Sequence, residues 1–68
     1  MKPMTAKEVE EYLRKHGFRL DRIRASHHQW VKDGWPVTIS VPHHGNTVLK
    51  QGLLNGIFKD AGIPKPQR

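Results

Sequence analysis

The chain has 68 residues, with 12 Lys and Arg against 6 Asp and Glu, for a formal net charge of +6 and a pI near 10.2. That length gives one domain near the lower limit for folding without staples, and the absence of cysteine excludes disulfides, thiolate nucleophiles and thiolate metal ligands. The longest apolar runs are a few residues, so neither a membrane span nor a signal-peptide core is expected, and the expected compartment is a reducing cytoplasm. A domain this basic carries the electrostatic footprint of a nucleic-acid binder, although an acidic protein or an anionic membrane would answer the same charge. Only 35% of residues are hydrophobic, so the core is thin and polar residues on its inner side are costly.

Residues 1–4 read as a loose start, with Pro3 discouraging helix before it. Thr5-Ala6-Lys7-Glu8 is a capping box. Ala6, Val9 and Leu13, joined by Tyr12, follow at helical spacing and leave Lys7, Glu10, Glu11, Arg14 and Lys15 to solvent. Arg14, Lys15 and His16 suit the negative end of the helix dipole, and Gly17 closes this first helix, placed at 6–16. From Phe18 to Arg24 the period becomes an imperfect alternation, as expected of an edge or bulged strand. Ala25-Ser26 supplies a small turn, and the strand rhythm resumes from His27 to Lys32. Asp33-Gly34 signals a hairpin, Pro36 begins the next strand, and Val37, Ile39 and Val41 alternate with Thr38 and Ser40.

Pro42-His43-His44-Gly45-Asn46 then breaks into a loop. The helical period returns over 50–61, with Leu53, Leu54, Ile57, Phe58 and Ala61 as its apolar stripe. Gly62 is its C-cap, Ile63 the hydrophobic contact of a Schellman motif, and Pro64 a stop. The order gives a single α+β domain over 1–68, an α-β-β-β-α two-layer sandwich with a core at about 5–63 and a frayed basic tail over 64–68. Both helices are expected on one face of a three-stranded antiparallel meander, the topology of double-stranded RNA-binding domains. The other face is left open for a substrate or partner.

Five histidines raise metal binding first. His27-His28 and His43-His44 are adjacent pairs, and neighbours on a strand point to opposite faces, so neither pair chelates by itself. One histidine from each pair can meet across the sheet, but solvated or loop histidines are favoured over a structural zinc. Acid–base chemistry is the second possibility. Arg22-Ile23-Arg24-Ala25-Ser26-His27-His28-Gln29-Trp30 sets two guanidinium groups beside two imidazoles, which titrate near neutral pH. RNA carries its own nucleophile, the 2′-hydroxyl. A protein need only move protons at the two reacting oxygens and stabilise the charged transition state. Spacing alone leaves His27 and His28 both open. Trp30 is expected in the core, and Trp35, between Gly34 and Pro36, is the better candidate for an exposed base-stacking ring.

An ordered set of segments carries a resemblance. His16-Gly17-Phe18, Arg24-Ala25-Ser26-His27-His28, Asp33-Gly34 and Val41-Pro42-His43-His44 are followed by an unbroken run from Leu49-Lys50-Gln51-Gly52-Leu53-Leu54 through Asn55-Gly56-Ile57-Phe58-Lys59-Asp60-Ala61-Gly62-Ile63. Over about residues 5–63 the chain resembles the HicA family of bacterial toxin–antitoxin ribonucleases, or mRNA interferases. The family's Gly-Ser-His or Gly-Gly-His motif has a catalytic histidine, and the matching position is His27. The resemblance implies a double-stranded RNA-binding-like fold, cleavage of mRNA that blocks translation, and a HicB-type antitoxin that covers the histidine; the chemistry of the 2′-hydroxyl makes the expected cleavage metal-independent.

On that footing His27 is the catalytic acid or base. Arg22, Arg24 and Lys50 attract backbone phosphate, and Ser26 helps to fix the turn. No metal, small-molecule cofactor or membrane is expected to take part. Two positions depart from the family pattern: Ala25 stands where glycine is usual, and Leu53 where threonine is common at the start of the second helix. A non-catalytic RNA-binding module is the main alternative, and a domain docking an acidic protein is a third.

Overall fold

The reciprocal cap expected at Thr5 forms: the Glu8 N–H donates to Thr5 Oγ1 at 3.3 Å, and the Thr5 N–H donates to the Glu8 carboxylate at 2.9 Å. The computed structural model describes residues 3–43 and 48–64. In chain order it contains β1 (Met4–Thr5), α1 (Ala6–Lys15), β2 (Arg19–Arg24), β3 (His27–Val31), β4 (Ile39–Pro42), β5 (Val48–Leu49) and α2 (Gln51–Ala61). Strands β2, β3 and β4 form an antiparallel meander in that order, and α1 and α2 cover one of its faces. The architecture is the expected α+β sandwich. Among the described residues no helix is long and apolar enough to cross a membrane.

Both helices end in the same way. Gly17 has φ +90° and Gly62 φ +68°, the left-handed conformation that glycine adopts without a Cβ penalty. The next N–H then reaches back across the last turn, Phe18 to the Leu13 carbonyl and Ile63 to the Phe58 carbonyl, both at 3.0 Å. These are Schellman motifs, and each sends a buried side chain, Phe18 or Ile63, into the core. That core joins Val9 and Leu13 of α1 to Trp30 of β3, Ile39 and Val41 of β4, and Leu54, Ile57 and Phe58 of α2. Each such burial contributes about 1.5–3 kcal/mol. Trp30, 2% exposed, lies inward as the thin core required.

The structure departs from the expected outline in four places. Met4 is not loose: it is buried and pairs with Leu49 in a short β1–β5 ribbon, from which both helices depart. Glu10, assigned to solvent, is buried at 7% exposure, while Leu53, assigned to the α2 stripe, is exposed. The last strand starts at Ile39 rather than at Pro36. The reason lies in the turn. Trp35 N–H donates to the Lys32 carbonyl at 3.0 Å, and only Gly34 of the central Asp33-Gly34 pair has positive φ, at +78°. That is the type II pattern, which splays flanking strands instead of closing a tight hairpin.

Trp35 then leaves the sheet altogether. Its indole N–H donates to the Asp60 carbonyl at 2.9 Å, and its ring lies over Gly62 at the end of α2. It anchors the connection between β3 and β4 and, as expected, stays exposed at 37%, with its N–H and one part of the ring engaged against the end of α2. The bulge expected in β2 is present between Leu20 and Arg22. The loop from His44 and the tail from Lys65 lie outside the described residues.

A Cβ at position 62 would lie 2.8 Å from Trp35 Cη2 while φ is +68°. Gly62→Ala should therefore lower stability by about 1–3 kcal/mol, read as a reduced urea midpoint at unchanged slope. Gly56→Ala, with nothing within 4 Å of the new methyl, should instead raise stability by up to about 1 kcal/mol.

Candidate nucleic-acid interface

Strand pairing decides which side chains share a face. His27 lies opposite Arg24 on β2 and Pro42 on β4, and Gln29 lies opposite Arg22 and Ser40. Directly opposed residues point the same way, so His27, Gln29, Arg22, Arg24 and Ser40 project from one side. His28 and Trp30, with Ile23, Ile39 and Val41, project from the other, where the helices lie. The first side is uncovered, and His27, Arg22 and Arg24 are all exposed on it. Beside His27, Asp21, Arg22, Arg24, Gln29 and Thr38 line an open concavity of about 310 Å³.

Charge on this face is available for phosphate. Arg22 Nε is 3.2 Å from the Asp21 carboxylate, an exposed pair of little energetic weight. Neither Arg24 nor the His27 ring has a side-chain partner among the described residues. A free guanidinium presents a fork of donors that matches two phosphate oxygens. Gln29 donates to Ser40 Oγ at 3.3 Å, a contact that a ligand can replace.

On the opposite side of β3 one histidine from each adjacent pair meets across the sheet, around a buried carboxylate, Glu10, that the sequence pattern had assigned to solvent. Glu10 Oε2 accepts from Trp30 Nε1–H and pairs with His28 Nδ1, both at 2.8 Å, and Oε1 pairs with His43 Nε2 at 3.3 Å. The His28 and His43 rings stack, with centroids 4.5 Å apart and planes 16° from parallel. These histidines are half-buried and engaged rather than solvated. A buried carboxylate is tolerable only with its oxygens satisfied, and among the described residues no buried side-chain polar atom is left unpartnered. His28 is therefore turned away from the open face, which separates two histidines that spacing had left equivalent.

A signal for Glu10 was present. Positions 6, 9, 10 and 13 are i, i+3, i+4 and i+7, so Glu10 sits in the apolar stripe by position and was excluded from it only by residue type.

The turn before His27 has one strained residue. Ala25 has φ +54°, the only non-glycine residue with positive φ among those described. Positive φ at the first central position alone is the sign pattern of a type II′ hairpin turn, where glycine is favoured. Ser26 is half-buried, and its carbonyl accepts from the His43 N–H at 2.7 Å, which joins the turn to the end of β4. Lys50 is not a sheet residue: it is exposed at the N-cap of α2 and makes no side-chain capping bond.

A small basic α-β-β-β-α domain with an imidazole and two guanidinium groups on its uncovered sheet face is a double-stranded RNA-binding-like domain by architecture. The comparison with protein families narrows this class. The family described as "HicA toxin of bacterial toxin-antitoxin" matches residues 6–63, and the chain belongs to that family. It is a toxin of a bacterial toxin–antitoxin system, and an antitoxin is its implied partner. No curated protein sequence matches it.

Left-handed backbone costs an alanine about 1–2 kcal/mol, part of which glycine gives back in unfolded-chain entropy, so Ala25→Gly should raise stability by about 0.5–1 kcal/mol in urea titration. Glu10→Ala should do the reverse on a larger scale. It strands the buried Trp30 N–H and frees two imidazoles, for an expected loss of about 2–4 kcal/mol in the same measurement.

Proposed function

We propose that this toxin is a metal-independent endoribonuclease that cleaves mRNA and so blocks translation in the cytoplasm. A HicB-type antitoxin would neutralise it by covering His27. The observation that carries the reading is the exposed imidazole of His27 directly opposite Arg24 on the uncovered sheet face, with Arg22 one pair further along. A proton-transfer group and two phosphate ligands on one accessible surface are what the reaction requires.

The chemistry needs no group that the chain lacks. Backbone phosphate binds between Arg24 and Arg22, whose guanidinium groups stabilise the charge that builds on the non-bridging oxygens. The 2′-oxygen attacks the adjacent phosphorus and loses its proton, the bond to the 5′-oxygen breaks, and that oxygen is protonated as it leaves. His27 carries the proton at one of these two oxygens. The products are a 2′,3′-cyclic phosphate and a 5′-hydroxyl end. Ser26 holds the turn that presents His27, and Lys50 contributes attraction for phosphate from outside the sheet.

The test is the full chain on RNA with EDTA present, beside His27→Ala. Cleavage by the parent should survive the chelator, and the variant should be slower by about 10²–10⁴-fold, the usual contribution of one acid–base group, with RNA affinity and circular dichroism retained. Equal rates would remove His27 from the mechanism, and a strict need for added divalent metal would remove its metal-free form. Salt-sensitive binding with no cleavage by the parent would select the RNA-binding module instead.

A further inference from the structure

Glu10, His28 and His43 present three ligand atoms that all lie within 4.8 Å of one another on the helix side of the sheet. We propose that they form a binding site for a zinc-class divalent cation, separate from the RNA face. Two imidazole nitrogens and one carboxylate oxygen are a donor set that zinc and its first-row neighbours accept, with a fourth position left to water.

Geometry supports the assignment. A tetrahedral ion with bonds near 2.1 Å holds its ligand atoms about 3.4 Å apart. His28 Nδ1 lies 2.8 Å from Glu10 Oε2 and His43 Nε2 lies 3.3 Å from the other oxygen, Oε1, so an ion held by one of these oxygens draws the second imidazole across to it. An ion would open the first spacing by about half an ångström. The two imidazoles turn different nitrogens, Nδ1 and Nε2, toward one carboxylate; their planes are 16° from parallel, so rotation of the side chains is what aims both in-plane lone pairs at one ion.

The surroundings also suit a metal. The Trp30 Nε1–H bond to Glu10 Oε2 orients the carboxylate from behind, as the outer partners of metal ligands do. An entry path exists on the histidine side, where the side chains are 21% and 27% exposed, against 10% for Glu10. Binding requires each imidazole to offer a lone pair where it now faces the carboxylate. A neutral ring shifts its proton to the other nitrogen, and a charged ring releases one. Without the ion, the hydrogen-bonded cluster is satisfied as it stands, so chelation leaves the fold intact.

Such an ion would clamp α1, β3 and the end of β4 together. His27 projects from the opposite face of β3, so the ion would take no part in proton transfer. It would stiffen the strand that carries the reactive group.

The probe is zinc chloride, titrated calorimetrically into the untagged full chain after EDTA stripping and dialysis. One ion per chain should bind, with saturation below about 100 µM, and zinc should raise the thermal midpoint reversibly. His43→Ala, at a half-exposed position following β4, should weaken binding at least about 10-fold and abolish the thermal shift. Glu10→Gln should do likewise; if it fails to fold, His43→Ala decides. His27→Ala should bind zinc as the parent does. Absence of saturable binding, unchanged affinity in His43→Ala, or loss of binding in His27→Ala would each overturn the site. RNA cleavage is not read here, so the ribonuclease proposal stands or falls independently.

Discussion

One buried carboxylate governs the geometry of this domain. Glu10 enters the core from α1 and takes the Trp30 indole N–H, His28 and His43 onto its two oxygens. An isolated carboxylate in an apolar interior is costly, and these partners make its burial tolerable. They also select the register of β3. Strand side chains alternate, so with His28 and Trp30 held inward by Glu10, His27 and Gln29 must face outward. A slip of one residue would bury His27 and expose the largest core side chain, while leaving the Glu10 carboxylate without its partners. The inner cluster thereby sets the orientation of the outer face without touching it.

The thin core is extended by anchors at the ends of elements. The two Schellman caps bury Phe18 and Ile63, and Trp35 bonds to the carbonyl of Asp60 above Gly62. The ribbon between β1 and β5 adds Met4 and Leu49. In a chain of this size such peripheral contacts carry a larger share of stability than they would in a larger domain, because fewer residues are central. Of the two outer strands of the sheet, β2 is exposed along its length. Its bulge and its arginines disfavour pairing with another strand through that edge, and the same arginines supply the charge on the open face.

The strained residue lies two positions before His27. Ala25 holds a left-handed conformation at the turn that delivers Ser26 and His27 to the sheet. The surrounding pairs, Arg24 with His27 on one side and the Ser26 carbonyl with the His43 N–H on the other, over-determine that turn and keep it in place.

The sequence by itself determined the elements. Caps at Thr5, Gly17 and Gly62, the apolar stripes at helical spacing and the small turn at Ala25-Ser26 are local signals, written in residues a few positions apart, and they place both helices and the β2–β3 hairpin. The ordered segments also carried the family. Tertiary structure decided everything that depends on residues far apart in the chain. Glu10 is polar and was assigned to water, because its partners lie 18 or more residues away and no local pattern announces them. Trp35 departs from the sheet because Asp60 and Gly62 offer it a bond and a surface, and Met4 is ordered because Leu49 lies opposite. A histidine pair is symmetric in sequence. Only the covering of one sheet face by helices makes His28 an inner ligand of Glu10 and leaves His27 in the open.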